Sequence, residues 1–342
     1  VTLTFLGGLG RIGRNCAALE TDGRVVLLDC GQMFPEELPG VDAILPDFSW
    51  IFERSVKIEG CIITHAHEDH IGGLPHLLKE INIPIYGSKF TLGMLQAKLE
   101  YVGIRGIETI ELKDYDRRQI GPFECEFLPV THSTPSGLMT VFDTPQGKIV
   151  HSSDFKLDPT PVDGRVTDLI RLREISENQG IRLLLADSTN AGSSGKTASE
   201  SEIGPVLEEI FTNHQNRRIT VAAFSSHIHR IQQIADIAKK TNRNLVVLGP
   251  SMQRNVTLAR ELGLLKISDH MIASPEDIKS LEPEETCIVC TGSQGEPRAA
   301  LALLARNEHR HFDIGEDDTV IFSSHPIPGN EVVHEQLVVA GE

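Results

Sequence analysis

No run of apolar residues in this 342-residue chain approaches the roughly 20 needed to cross a bilayer, so no membrane span is expected. A basic surplus is lacking as well. Lys and Arg number 32 against 48 Asp and Glu, for a formal net charge of −16. That balance alone argues mildly against a nucleic-acid binder, which usually carries a basic footprint. Arg217-Arg218, His229-Arg230 and Lys239-Lys240 still allow a local positive groove. The chain opens on the strand-like Val-Thr-Leu-Thr-Phe-Leu, with neither an initiating Met nor a signal-peptide layout. Cysteines are few: six, at 16, 30, 61, 125, 287 and 290, mostly inside apolar runs. They read as reduced core residues of a cytoplasmic protein. Cys287 and Cys290 form a CxxC, but on a β-branched strand positions three apart face opposite sides, and no second pair accompanies them.

Against these absences stands one dense constellation. His65, His67, Asp69 and His70 crowd a single loop, His132 follows a strand-like 125–130, and Asp154 follows a strand-like 148–151. Neutral imidazole and carboxylate together suit zinc, or manganese at the harder end. A surface loop that happens to be His-rich is the bland alternative, and the later His and Asp at strand ends count against it. The stretch 61–64 reads as a buried strand and a helix opens after Ile71 and ends near Glu80. The spacing fits two ions. His65 and His67 alternate past Ala66 and face one ion, which His132 completes. Asp69 and His70 come later and face a neighbour, and Asp154 bridges the two. Asp29 and Asp187 each end a hydrophobic strand. Carboxylates there either bond the far nitrogen of a ligating His or simply cap a turn. Glu68 is expected to point outward, and His76, His309 and His311 are given no role.

Gly8-Leu9-Gly10-Arg11-Ile12-Gly13 matches the dinucleotide fingerprint, which requires a helix next. Instead 16–20 alternates like a strand, Thr21-Asp22-Gly23 makes a hairpin turn, and 24–29 is another strand. The glycines more plausibly bring the loop close to the metal cleft.

The chain divides into a first part, 1–180, strand-rich with helices near 72–80 and 91–101 and a helical connector at 167–179. A second part, 181–330, alternates strands (182–186, 219–224, 244–248, 286–290, 319–322) with helices (199–212, 227–240, 253–262). Such alternation favours a parallel sheet with helices on its faces, and ligands bind beyond the strands' carboxyl ends. Those ends carry Ser226, His227, His229 and Arg230, then Arg254, Ser293 and His325. Such loops serve equally as helix caps or as phosphate contacts.

The HAHEDH loop, with Leu27–Gly31, Thr131-His132-Ser133 and Ser153-Asp154-Phe155, resembles the metallo-β-lactamase fold. Phe5–Gly10, Gly40–Phe48, Ala186–Asn190, Thr291–Pro297 and Pro326–Asn330 resemble the β-CASP branch of bacterial ribonuclease J type. The resemblance covers essentially the whole chain. It implies an α/β protein: a metallo-β-lactamase αββα sandwich with an inserted parallel β-CASP domain that closes over the metal cleft. It supports Asp29 and Asp187 as partners of ligating histidines, and it tips Ser226, His227, His229 and Arg230 towards nucleotide contact. Relatives of this type return into the first domain after Asn330 and supply two further histidine motifs, one ligating the second metal. Here 331–342 reads as the start of that return, cut short, and neither motif is present. The C-terminal dimer-forming region is absent too.

The implied function is a ribonuclease with two divalent ions, acting as a 5′-to-3′ exonuclease and endonuclease on single-stranded RNA in maturation and decay, ribosomal RNA included. Two such ions about 3.5–4 Å apart hold a hydroxide for in-line attack on phosphorus, with Asp69, His70 and Asp154 positioning it. A homo-oligomer is implied for the full-length protein, together with other RNA-decay proteins as partners. Two alternatives stand beside it. A thioesterase- or lactonase-type hydrolase needs no phosphate-friendly second domain, and a non-catalytic RNA-binding module needs no such ligand set.

Overall fold

The computed structural model describes residues 1–34, 40–41, 43–296, 298–316 and 318–324. His325, the 326–330 motif, His334 and the 331–342 segment lie outside the described residues, as do Asp42 and Pro297 of two quoted motifs. The chain forms two compact units, Val1–Ala198 and a second beginning at Ser199.

The first unit holds two sheets. One runs in the order β1 (Thr2–Gly7), β2 (Cys16–Thr21), β3 (Arg24–Leu28), β4 (Lys57–Ile62), β5 (Ile85–Gly87), β6 (Thr109–Glu111). Its first three strands are antiparallel and the rest parallel. The expected turn between β2 and β3 is built from Asp22 and Gly23, both at positive φ (51° and 70°), the two-residue geometry that matches strand twist. The second sheet contains β7 (Arg117–Ile120), β8 (Phe123–Pro129), β9 (Leu138–Asp143), β10 (Lys148–His151) and β11 (Ile181–Leu185), in reverse order. Alternate residues of both sheets meet in one core: Leu19, Val26, Leu28 and Ile62 from the first against Phe123, Phe127, Phe142 and Ile149 from the second.

Short helices α1 (Ser49–Phe52), α2 (Glu68–Ile71) and α3 (Leu74–Glu80) precede α4 (Lys89–Tyr101), which packs on β5 and β6. Helix α4 buries Phe90, Thr91, Met94, Leu95 and Leu99, one face at helical spacing, and Ser88 caps it by accepting from the Thr91 N–H. On the far face of the second sheet, α5 (Leu169–Asn178) sets Leu172 and Ile175 against Leu128, Val130, Val141 and Val150. Helices therefore cover both outer faces, as the αββα expectation requires. One element differs from expectation. The strand near 182–186, read as the first of the second domain, pairs in parallel with β10. Its apolar run carries no mark of its partner.

The second unit is a five-stranded parallel sheet in the order β14 (Ile272–Ala273), β13 (Asn244–Leu248), β15 (Thr286–Cys290), β12 (Arg218–Ala222), β16 (Asp318–Phe322). Helices α6 (Ile203–Asn213), α7 (Ile228–Lys240), α8 (Pro250–Glu261) and α9 (Ala300–Ala305) accompany it. Helix α7 turns Ile231, Ile234 and Ala238 inward and packs on β13 and β15. Leu301 and Leu304 of α9 pack with Val246, Leu248, Ile288 and Cys290. Burial pushes the Cys287 and Cys290 thiols up to about 12, so the CxxC stays protonated and inert. Among the described residues no helix is long and apolar enough to cross a membrane.

Candidate metal centre

The parallel strands β3 and β4 end side by side, and the loops beyond them carry Asp29 and His65–His70. The loop is fixed by backbone bonds. Asn15 N–H donates to the Asp69 carbonyl (2.9 Å), Cys30 N–H to that of His70 (2.9 Å), and Gln32 N–H to that of Glu68 (3.0 Å). The approach demands glycine at 31, where a Cβ would lie 1.6 Å from the Asp69 carbonyl oxygen.

Two donor sets converge there. His65, His67, His132 and Asp154 bring one ligand atom each to within 4.8 Å of one another, as do Asp69, His70 and Asp154. In the first set His65 Nε2 and His132 Nε2 lie 3.0 and 3.1 Å from His67 Nδ1. The same two nitrogens lie 3.9 and 3.8 Å from Asp154 Oδ2. A zinc tetrahedron with bonds near 2.05 Å has edges of about 3.3 Å, so these separations fit an ion at the centre. In the second set His70 Nε2 lies 3.4 Å from Asp69 Oδ2 and 3.5 Å from Asp154 Oδ1. Asp154 thus turns one oxygen to each set. Ser153, at φ 63°, makes the left-handed turn that precedes it.

The other ring nitrogens of His65, His67 and His70 are tied down. His70 Nδ1 lies 2.8 Å from Asp29 Oδ2, whose carboxylate also accepts from the Thr64 N–H (2.8 Å) and hydroxyl (2.9 Å). His65 Nδ1 is bonded to the Thr64 hydroxyl (3.0 Å) and faces Ser153 Oγ (3.2 Å). Ser133 Oγ lies 3.2 Å from His67 Nε2. Each ring is thereby held with one nitrogen towards the cluster.

Burial, reinforced by the neighbouring imidazoles, pushes His65 well below the usual histidine range and His67 down to about 3. His132 is lowered by burial as well. These three rings are neutral at pH 7 and ready to ligate. Burial would also lower His70, but the carboxylates of Asp69, Asp29 and Asp154 outweigh it and hold that ring well above the ordinary value. Asp154 is held below the usual carboxylate range, because His70 and His132 outweigh the effect of burial. The first donor set, three bare imidazole nitrogens about one carboxylate, is one that a divalent cation fits.

Asp187 is not in this group. Its Oδ1 accepts from the Thr189 N–H (2.8 Å) and hydroxyl (2.7 Å), an Asx turn of its own, instead of the expected bond to a ligating histidine. Glu68 is paired with Lys98 and His76 is exposed. The sequence reading missed Asn15, Thr64 and Ser133. All three are ordinary loop residues in sequence, and the partners of Asn15 and Ser133 are more than fifty residues away.

The remaining predicted residues lie in the second unit. Ser226, His227 and His229 follow β12, and Ser293, buried, follows β15. Arg230 is buried and its guanidinium donates to Glu200 Oε1 (2.7 Å), the Ser323 carbonyl (2.8 Å) and Ser323 Oγ (2.6 Å). It braces the loop after β16, where phosphate contact had been expected. Ser226 leaves the helix cap to His227, which makes no side-chain capping bond. Arg254 is exposed on α8.

Comparison with known proteins agrees with this architecture. The pattern of the metallo-beta-lactamase superfamily matches residues 9–169, and that of the Ribonuclease J beta-CASP domain matches 216–339. Proteins named Ribonuclease J are 42% identical over 97% of the chain in Helicobacter pylori and 42% over 96% in Mycolicibacterium smegmatis. One in Thermus thermophilus is 43% identical over 99% of the chain. The chain covers 48%, 59% and 60% of those three, about half the length of the relatives it matches. A crystal structure of a protein of unknown function from Enterococcus faecalis shares the fold at a TM-score of 0.64 and 16% identity, covering 99% of this chain and 91% of that one. The two patterns follow in order and the His/Asp cluster lies within the first, so the chain carries a metallo-β-lactamase domain and a β-CASP domain of the ribonuclease J type.

Proposed function

We propose that this chain carries the catalytic domains of a metal-dependent ribonuclease that hydrolyses phosphodiesters of single-stranded RNA, as 5′-to-3′ exonuclease and endonuclease, in RNA maturation and decay. The observation that carries the reading is Asp154, whose Oδ1 and Oδ2 face separate donor sets. A single-ion site needs no such arrangement. His65, His67, His132 and Asp154 would hold one ion, and Asp69, His70 and Asp154 its neighbour, with zinc favoured by the imidazole content. Such a pair supplies activated water at neutral pH and positive charge against phosphate oxygens. The chain's own residues do the rest. Asp29 takes the His70 Nδ1 proton contact, leaving Nε2 inward, and Thr64 does the same for His65. In the second unit Ser226, His227, His229, Arg254 and Ser293 supply hydroxyls, imidazoles and a cation to the RNA backbone, while Arg230 steadies the Ser323 loop. We place the protein in the cytoplasm, as a homo-oligomer.

The test is turnover of a 5′-monophosphorylated single-stranded RNA by purified, metal-assayed protein, beside a thioester substrate and an Asp69→Ala/His70→Ala variant. RNA cleavage reduced at least about a hundredfold in the variant is expected, removal of ligands costing no less than loss of their outer partners. Thioester turnover without RNA cleavage would sink the reading.

A further inference from the structure

We propose that Asn15 is a positioning residue for the second donor set, its side-chain amide holding Asp69 Oδ2 towards the ion. The inference rests on the two-ion reading above.

Asn15 Nδ2 lies 3.1 Å from Asp69 Oδ2 and 3.1 Å from His70 Nε2. An ionised carboxylate only accepts, so the nitrogen end of the amide must be the end that meets it. The oxygen it meets is the one 3.4 Å from His70 Nε2. With two lone pairs, Oδ2 can accept from Asn15 and still face a cation. A carboxyl torsion is broad and nearly two-fold, so without this donor either oxygen, or neither, would be presented.

The rest of the loop exists to place that amide. Asn15 Oδ1 packs on Gly8, where a Cβ would come within 2.6 Å of it, and Gly8 sits at φ +87°. The Asn15 backbone is clamped on both sides, its N–H donating to the Asp69 carbonyl and its carbonyl accepting from the Gly31 N–H, both at 2.9 Å. Of the fingerprint-like glycines after β1, Gly8 is the one that meets this amide, and a Cβ at Gly10 would have nothing within 4 Å. Gly8 leaves room for the amide, and at Gly13, φ +109°, a Cβ would meet Met33 at 2.7 Å. A neutral amide suits the position. It orients Asp69 without adding a fourth carboxylate to Asp29, Asp69 and Asp154 around His70.

The experiment titrates Zn²⁺ into chelator-stripped wild-type protein, Asn15→Leu, which keeps the volume and loses the donor, and Asn15→Ser as a smaller backup. Both variants should melt like the wild type in chelator. The first ion should bind unchanged and the second about 10–100-fold more weakly. RNA cleavage should lose kcat while KM holds, and excess Zn²⁺ should restore the rate, which a merely structural lesion would not allow. Two unchanged affinities in both variants would overturn the role of Asn15 alone. A wild-type protein that takes only one ion would overturn the two-ion reading and this role with it.

Discussion

Asp29 sits at φ 56°, directly beyond β3, a left-handed conformation that a short polar side chain tolerates better than most. From there it accepts from Thr64 and faces His70, while the Thr64 hydroxyl also reaches His65. One carboxylate and one hydroxyl therefore govern a ring in each donor set, and the two sets respond differently when they are changed. The Thr64 hydroxyl, 3.4 Å from His70 Nδ1, is a poor substitute for Asp29 at 2.8 Å, so Asp29→Ala should weaken the second ion about 10–100-fold. It also strands the buried Thr64 N–H, costing about 1–3 kcal/mol of stability. His65 keeps Ser153 Oγ at 3.2 Å when the Thr64 hydroxyl is lost, so Thr64→Val should weaken the first ion by less than about tenfold. Zn²⁺ competition against a chromophoric chelator reads both. Equal losses in the two variants would show that the outer bonds do not act ring by ring.

Helix α5 is tied to the second sheet by charge as well as by Leu172 and Ile175. Glu126 of β8 accepts from Arg171 of α5 at 2.7 and 3.2 Å and from Arg117 of β7 at 3.0 Å. Its side chain is only 13% exposed. Burial alone would raise this carboxyl, but Arg171 and Arg117 outweigh it and hold it below the ordinary value. A depressed carboxyl stabilises the fold above its unfolded pKa, and the gain fades as pH falls through the folded one. Glu126→Gln should therefore cost about 1–3 kcal/mol at neutral pH. The gap to wild type should close in urea melts as pH falls below the ordinary carboxylate range, and a gap that persists in acid would refute an ionic tie. Elements such as α4, α7 and β13 were legible because apolar period and caps are local. The metal loop was legible because its ligands are neighbours in sequence. What escaped depends on distant pairing. The Leu183-Leu184-Leu185 run reads as a buried strand of the later series, yet β11 is an edge strand beside β10, with Leu184 52% exposed. Asp187 ends the same strand and looks like a ligand-orienting carboxylate until Thr189 is seen to occupy it. Asn15 answers to Asp69 fifty-four positions away, which no spacing rule reveals.

At the scale of the whole molecule, the two units have separate cores, one between the sheets of the first and one on the helix-covered sheet of the second. All six candidate ligands, from His65 to Asp154, belong to the first. Whatever binds a native site stabilises the fold that forms it by RT ln(1 + [L]/Kd), about 4 kcal/mol at a thousand times Kd. That gain is confined to the unit that owns the ligands unless the two unfold as one. Chelation should therefore speed amide exchange in β3, β4, α2 and β10. It should leave β12, β13 and β15, with α7 packed on β13 and β15, at their original protection. Removing cations from the proposed sites would return repulsion to Asp29, Asp69 and Asp154, all of them in the first unit. Hydrogen exchange read by mass spectrometry, with and without chelator, separates the cases. Loss of protection spread evenly through both units would mean that they share one cooperative transition.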